Sequence, residues 1–334
     1  MTAVDVVTLT RALVDIDSTT GREGEVGSFL VEYLGKLGFS VSTQQVDGSR
    51  FNVLATVGPP EVVFSTHFDC VPPFFSSRIE GDRLFGRGAC DAKGILAAQV
   101  AAADALRRDG ETRVGLLFVV GQERGSDGAK TANAAANGCR FLVDGEPTES
   151  RLGLATRGML RLRLSASGRA AHSSFPELGE SAIDKLLDAL VALRSIELPY
   201  DDVLGRTHYT VGLISGGVAP NVVSPSAEAE VMFRTVSDGS VVRKAVQALE
   251  SRVTIDHVLE APPVRMTTVP GYEAVVFPYT TDIPFLPAWG EPLLFGPGSI
   301  HVAHTAEEFI AIPELQSAVS HYLAIVRHLL SRPA

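Results

Sequence analysis

The chain has 334 residues, 45% of them hydrophobic and 20% charged, enough for two hydrophobic cores and ordinary for a water-soluble globular protein. Its formal net charge of -10 argues against a nucleic-acid partner, which needs a clustered basic surface. Three cysteines (Cys70, Cys90 and Cys139) are too few for a disulfide framework and point to a reducing, cytoplasmic setting. The first residues show no basic stretch followed by an apolar core, so no signal peptide is expected. Apolar runs such as Leu116 to Val120 are far too short to span a bilayer, so no membrane partner is expected either.

In chain order, Glu23 to Leu37 has helical apolar spacing through Val26, Phe29, Leu30, Tyr33 and Leu34. Glu61 to His67 reads as a buried strand, Gly94 to Arg108 as an Ala-rich helix, and Val114 to Val120 and Arg140 to Val143 as two more buried strands. This alternation predicts an α/β domain, a sheet with helices on both faces. The pattern changes near Gly158. Leu160, Leu162 and Leu164 alternate with Arg161, Arg163 and Ser165, a strand with one wet face. An amphipathic helix over Ser181 to Ile196 follows, then strands near His208 to Ile214 and Ala227 to Arg234, a helix over Val241 to Val253 and a strand near Thr254 to Leu259. The order βαββαβ is that of the ferredoxin-like split motif. It ends at Ala261-Pro262-Pro263, after which Pro292 to Phe295 and a C-terminal helix return to the first domain. The expected organisation is one domain over 1–155 and 264–334, with a second over 156–263 inserted in it. Thr305 and Glu308 form a capping-box pattern, which predicts that the last helix starts there and that His304 lies in the loop just before it.

Five segments carry His, Asp or Glu at the end of a predicted strand or in the turn after it: His67-Phe68-Asp69, GRGACDAKG over Gly86 to Gly94, Gln122-Glu123, Gly145-Glu146-Pro147-Thr148 and Ala303-His304-Thr305. Open α/β sheets collect ligands beyond the carboxyl ends of their strands. Histidines and carboxylates converging there make a nitrogen–oxygen site that suits zinc, with cobalt or manganese as substitutes. Singly these signals are weak, since His-x-Asp and a GEPT turn occur in many chains. GRGACDAKG is more specific, and it lacks the GxxxxGK[ST] pattern of a phosphate loop.

Taken together and in this order, the segments resemble the di-zinc family of acetylornithine deacetylase, succinyl-diaminopimelate desuccinylase, aminoacylase and carboxypeptidase G. HFDCVP, GRGACDAKG, QERGSDGA, GEPT, GRAAHSS, APNVVSP, the strand ending at Arg234, the Thr-Thr-Asp of residues 280–282, GPGS and AHTAEE carry the resemblance along nearly the whole chain. It implies a mixed-sheet zinc-peptidase-like catalytic domain with an inserted lid that forms a homodimer. It implies two zinc ions, one on His67 and Glu146, the other on Glu123 and His304, with Asp91 bridging. Asp69 would orient His67, a cis peptide would follow Asp91, and His172 would reach into the partner subunit's site to donate to the oxyanion. Asn221 and Arg234 would contact the substrate carboxylate, a role that suits the planar guanidinium.

The family's general base is a glutamate one residue before the ligand matched by Glu123. Here that position is Gln122. An amide keeps the size of a glutamate and has no useful basicity. The resemblance therefore leaves three readings: an inactivated variant, a non-catalytic binder of acylated amino acids, or an enzyme with another base. Deacylation of an N-acyl-amino acid is the expected chemistry, with a dipeptidase or carboxypeptidase as the alternative. Phe74 and Phe75 hint at an apolar rim. His208, His257, His321 and His328 read as structural or surface residues, and so does His301, with a place beside the site as its alternative; Cys70 and Cys90 read as packing. Asp144 is the substitute should Glu146 be misaligned.

Overall fold

The computed structural model describes residues 3–136 and 138–333, which form two compact units. The first comprises Met1–Leu154, Arg265–Phe277 and Thr281–Ala334; the second comprises Ala155–Val264 with Pro278–Thr280.

The first unit is built on a mixed six-stranded sheet in the order Ser40–Asp47, Arg50–Thr56, Val114–Val119, Val62–His67, Phe141–Asp144, Glu291–Leu294. The last four strands are parallel, and Arg50–Thr56 and Ser40–Asp47 continue the sheet antiparallel as a hairpin. Val62–His67 and Val114–Val119 are buried at every residue, which is why Val62 to Phe64 and Leu116 to Val119 read as apolar runs and not as alternating ones. Period two still sorts their side chains. Val62, Phe64, Leu116 and Phe118 face a core shared with the helices Val6–Val14, Gly24–Leu37, Lys93–Arg108 and Ile312–Ser331. Val63, Leu117 and Val119 face a smaller core with Ala129, Ala132, Leu286 and Trp289. The helix Lys93–Arg108 buries 13 of its 16 residues, so only small side chains let its neighbours approach on every side, and six of those residues are alanine or glycine in the run 97–103 and at Gly94.

In the second unit, Gly158–Ser167, Ala182–Leu193, His208–Gly216, Ser226–Thr235, Gly239–Val246 and Thr254–Ala261 follow the βαββαβ order. The four strands form an antiparallel sheet ordered His208–Gly216, Ser226–Thr235, Gly158–Ser167, Thr254–Ala261. Leu160, Leu162, Leu164, Ala229, Val231 and Phe233 meet Leu186, Ala189 and Leu193 of the first helix and Val242 and Val246 of the second. The Ser181 side chain caps the first helix by accepting from Asp184 N, and Asp238 caps the second through Ser240 N. No helix among the described residues is long and apolar enough to cross a membrane.

The last helix does not start at Thr305. Residues 301–307 are turns, Phe309–Ala311 is a short strand against Arg83–Phe85, and the helix begins at Ile312, with Pro313 in its first turn.

Candidate metal centre

Four parallel strands end at one edge of the sheet. Val62–His67 lies between Val114–Val119 on one side and Phe141–Asp144 on the other. The chain therefore changes winding direction at that strand, and the segments leaving the three carboxyl ends open around one crevice. His67 ends the first strand, Gln122 and Glu123 follow the second, and Glu146 follows the third. Asp91 stands two residues before the helix Lys93–Arg108, at the end of the GRGACDAKG loop. A cis peptide joins Asp91 to Ala92.

These side chains form two overlapping donor sets, His67/Asp91/Glu146 and Asp91/Glu123/His304, in each of which the ligating atoms lie within 4.8 Å of one another. Asp91 belongs to both, and its two oxygens face opposite ways. Oδ1 lies 3.1 Å from His67 Nε2, and Oδ2 lies 3.3 Å from His304 Nε2. His304 Nε2 is also 2.9 Å from Glu123 Oε1. His304 reaches this position from a left-handed backbone, φ 64°. The His67 ring is oriented from behind: Nδ1 is 3.1 Å from the Asp69 carbonyl oxygen and 3.4 Å from Asp69 Oδ1. A donor bond from Nδ1 leaves Nε2 free to act as a ligand.

Asp69 does more than face one histidine. Its buried carboxylate accepts from Gln122 N at 3.0 Å, Glu123 N at 3.2 Å and Thr20 Oγ1 at 2.8 Å. It thus fixes the turn that carries Gln122 and Glu123 to the end of the neighbouring strand. Gly121 opens this turn at φ 77°, and a Cβ there would lie 1.8 Å from Asp127 Oδ1. Asp127 is held by Arg50, whose guanidinium also grips the fully buried Glu23 carboxylate. The Gln122 amide donates from Nε2 to Glu146 Oε1 at 3.3 Å, so its side chain stands against the donor set.

The electrostatics fit a cationic occupant. Burial pushes the Glu146 carboxyl well above the usual carboxylate range, and the Asp91 charge adds to it. Burial also raises Glu123, against the bond from His304. Burial opposes ionisation of Asp91, but the bonds from His304 and His67 outweigh it and hold that carboxyl below its ordinary range. Bonds to Asp91 and Glu123 raise His304 to about 10. Burial opposes a charge on His67, yet its bonds to Asp69 and Asp91 raise it well above an ordinary histidine. The carboxylate charge in this buried space is thus partly offset by the two raised histidines, a role that a bound cation would take over as the histidine protons leave.

The other sequence candidates sort as follows. Asp144 is buried on its strand and enters neither donor set; Glu146 takes that place. Cys70 and Cys90 are buried and free, and burial raises both thiols, Cys70 to about 11, so neither is a ready thiolate ligand. His301 is exposed and outside both sets. His257 pairs with Glu260, His321 with Tyr272 Oη and His208 with Arg157. Phe74 is exposed, and Phe75 lies under the Arg87 guanidinium. In the second unit, His172 bridges to Val222, and Ser173 N donates to the Asn221 carbonyl oxygen, so residues 172 and 221 sit side by side. Arg234 is half-buried on Ser226–Thr235, with Thr280 Oγ1 at 3.4 Å and no carboxylate partner among the described residues.

Glu308, read above as half of a capping box, reaches no helix. It is fully buried, and its carboxylate accepts from the amides of Gly88, Cys90 and Asp91 and from Arg87 Nη1. Arg50, Glu23, Asp127, Arg87 and Glu308 are the supporting residues that sequence reasoning missed. The only signal for them was charge within otherwise apolar or Gly-rich segments.

The chain is similar to known proteins along nearly its whole length. A match to the family described as Peptidase family M20/M25/M40 covers residues 63–328. A peptidase M20 domain-containing protein of Schizosaccharomyces pombe is 37% identical over 340 residues, spanning 98% of this chain and 85% of that protein. A protein of Aspergillus terreus named as a probable carboxypeptidase is 38% identical over 365 residues, 95% of this chain and 84% of its own length. Among solved structures, an M20 family metallo-carboxypeptidase of Sulfolobus solfataricus superposes with a TM-score of 0.78 at 19% identity, covering 97% of this chain and 99% of that one; at that identity the likeness speaks for the fold. Matches that run through nearly all of the sequence leave one assignment, and the chain belongs to Peptidase family M20/M25/M40, a family of metal-dependent hydrolases.

Proposed function

We propose that this chain binds two zinc ions and takes an amide whose amine side ends in a free carboxylate, with turnover held down by Gln122. The observation that carries the reading is the pair of donor sets sharing Asp91, with the Gln122 amide against Glu146. His67, Asp91 and Glu146 would hold one ion, and Asp91, Glu123 and His304 the other. Nitrogen and carboxylate donors in threes suit zinc in a catalytic role, and cobalt or manganese would fit the same ligands. When bound, such a pair of cations polarises a scissile carbonyl and lowers the pKa of water toward neutrality.

The protein's own groups supply the rest. Asp69 holds His67 and the 122–123 turn in register. Arg234, half-buried and without a carboxylate partner among the described residues, is suited to pair a substrate carboxylate through its planar fork. Asn221 lies beside His172 and would join that contact, and His172 would donate to the oxyanion. The proton step is where this chain departs. A carboxylate at position 122 would take a proton from water and hand it to the leaving amine; the Gln122 amide can only donate or accept hydrogen bonds.

N-acyl-amino acids and the C-terminal residues of short peptides present the same linkage, an acyl–NH–CHR–COO⁻ group. Deacylation remains the first reading and carboxypeptidase or dipeptidase action the second; the name of the Aspergillus terreus relative, a probable carboxypeptidase, favours the second. A non-catalytic binder of acylated amino acids is the third. The Ala155–Val264 unit is proposed as the lid and as a homodimer surface, and the cytoplasm as the setting, on three free cysteines. The test is turnover of a panel of N-acyl-amino acids and dipeptides by the Gln122 protein and by Gln122→Glu. Equal turnover by both sinks the role of position 122. Tight binding with no cleavage by either replaces the enzyme reading with the binder.

A further inference from the structure

The loop Gly86 to Ala92 carries Asp91, the carboxylate common to both donor sets, and it has little secondary structure of its own. Its internal backbone bonds are Ala89 N to Gly86 O and Lys93 N to Gly88 O. Three of its other amides point inward at one atom, while Arg87 N donates to the Phe75 carbonyl oxygen. Glu308 Oε1 accepts from Gly88 N at 3.0 Å, Cys90 N at 3.1 Å and Asp91 N at 3.1 Å. Three amides converging on one oxygen form an anion-binding nest, here filled by a side chain from elsewhere in the sequence. The second carboxylate oxygen accepts from Arg87 Nη1 at 2.6 Å, and Arg87 is itself anchored by Nε on the Pro73 carbonyl oxygen. The Glu308 backbone completes the attachment, its carbonyl oxygen accepting from Gly86 N.

Glu308 stands four residues after His304 and immediately before Phe309–Ala311, which pairs with Arg83–Phe85. A closed circuit results. The Asp91 backbone is bound to Glu308, Glu308 leads along the chain to His304, and His304 Nε2 returns to Asp91 Oδ2. His67 and Glu146 lie outside this circuit, each at the end of a sheet strand.

We infer that Glu308 is a positioning residue that sets the spacing between Asp91 and His304, and so controls the Asp91/Glu123/His304 metal position more than the His67/Asp91/Glu146 one. The inference rests on the two-metal reading above. A glutamine at 308 keeps the shape and one acceptor oxygen but turns an amide toward the Arg87 cation, so the nest and the ion pair cannot both be satisfied. Loss of an outer-shell partner of this kind typically costs about 10–100-fold in metal affinity.

The test is titration of the full-length metal-free protein with Co2+, followed by calorimetry and by visible absorption, on wild type, Glu308→Gln, Glu308→Asp and His304→Ala. Wild type should bind two ions. Glu308→Gln should bind one ion with near-wild-type affinity and the second about 10–100-fold more weakly, approaching His304→Ala. Glu308→Asp, which keeps the charge, should recover part of the loss. Arg87→Lys disturbs only one of the four bonds and serves if Glu308→Gln does not fold; it should also weaken the second ion selectively. Wild-type affinity at both positions in a folded Glu308→Gln or Arg87→Lys protein overturns the inference, as does equal weakening of both, the mark of a general structural role. A wild-type protein that binds fewer than two ions overturns the two-metal reading, and this inference with it.

Discussion

Gln122 differs from a glutamate by one atom type, an amide nitrogen in place of a carboxylate oxygen. Its backbone is pinned by Asp69, and its side chain rests against Glu146. A carboxylate placed there, beside two cations, would stay ionised near neutral pH, because nearby positive charge lowers a carboxylate's pKa. General-base catalysis typically contributes about 10²–10⁴-fold, so Gln122→Glu is expected to raise kcat by that order on a matched substrate while KM moves much less. That split is the signature of an interaction made mainly in the transition state. A rise in kcat/KM that comes wholly from KM would mean that residue 122 binds substrate and moves no proton. The ligand set makes a separate prediction. His67→Ala and His304→Ala each remove a donor from one set and leave the other set whole, so each protein should retain one ion where wild type holds two. Metal analysis after dialysis reads this directly, and loss of both ions from either variant would mean that the two positions are one cooperative site.

At the level of elements, what was legible follows from where each segment finds its partners. Val62–His67, Val114–Val119 and Phe141–Asp144 are buried on both faces, so each carries a short apolar run, and the candidate ligands fell where parallel strands end. Ser40–Asp47 was not legible as a strand. It lies at the sheet edge and is largely exposed, so its polar side chains carry no apolar signal. The Thr305–Glu308 spacing misled for a related reason. A capping acid and a loop-binding acid answer the same need, unsatisfied backbone amides, and the local pattern does not say whether those amides are three residues away or more than two hundred. The Arg50 clamp is invisible for the same cause, since its partners Glu23 and Asp127 lie 27 and 77 positions off. The clamp has a measurable weight. Glu23 has no exposed side-chain surface, and Arg50→Met would leave its charge buried with, among the described residues, the Gly21 amide alone to answer it. Removing one partner of such a pair typically costs about 3–5 kcal/mol. Arg50→Met should therefore lower the urea midpoint by a corresponding amount, and a change within about 0.5 kcal/mol would place it among ordinary surface substitutions.

For the whole molecule the question is how many chains make one working unit. The strand His208–Gly216 is the edge of the second unit's sheet and is exposed at every residue except Tyr209. Leu213 and Ile214 stand more than half exposed there, and Val218 follows just beyond. The helix Ala182–Leu193 packs its buried side on the same sheet and leaves Ile183, Leu187 and Val191 exposed. Their four-residue spacing puts them in one stripe. An unpaired strand edge beside an apolar stripe is a liability for a lone chain and a natural seam for a second copy. A two-fold interface would use both features twice, so one substitution per chain acts in duplicate. Leu213→Asp, which sets like charges near one another across such a seam, should shift the protein from dimer to monomer in sedimentation velocity at micromolar concentration while its metal content stays at the wild-type value. The proposed role of His172 adds an activity test on the Gln122→Glu background. A His172→Ala chain and a His67→Ala chain are each expected to be impaired alone. If His172 serves the partner subunit's site, mixing and refolding them assembles hybrids with one complete site, and activity should exceed the sum of the two separate proteins. If it serves its own chain, no hybrid is complete and mixing restores nothing. A wild-type protein that sediments as a monomer under assay conditions removes the action across subunits at once, and Leu213→Asp would then leave both mass and turnover unchanged.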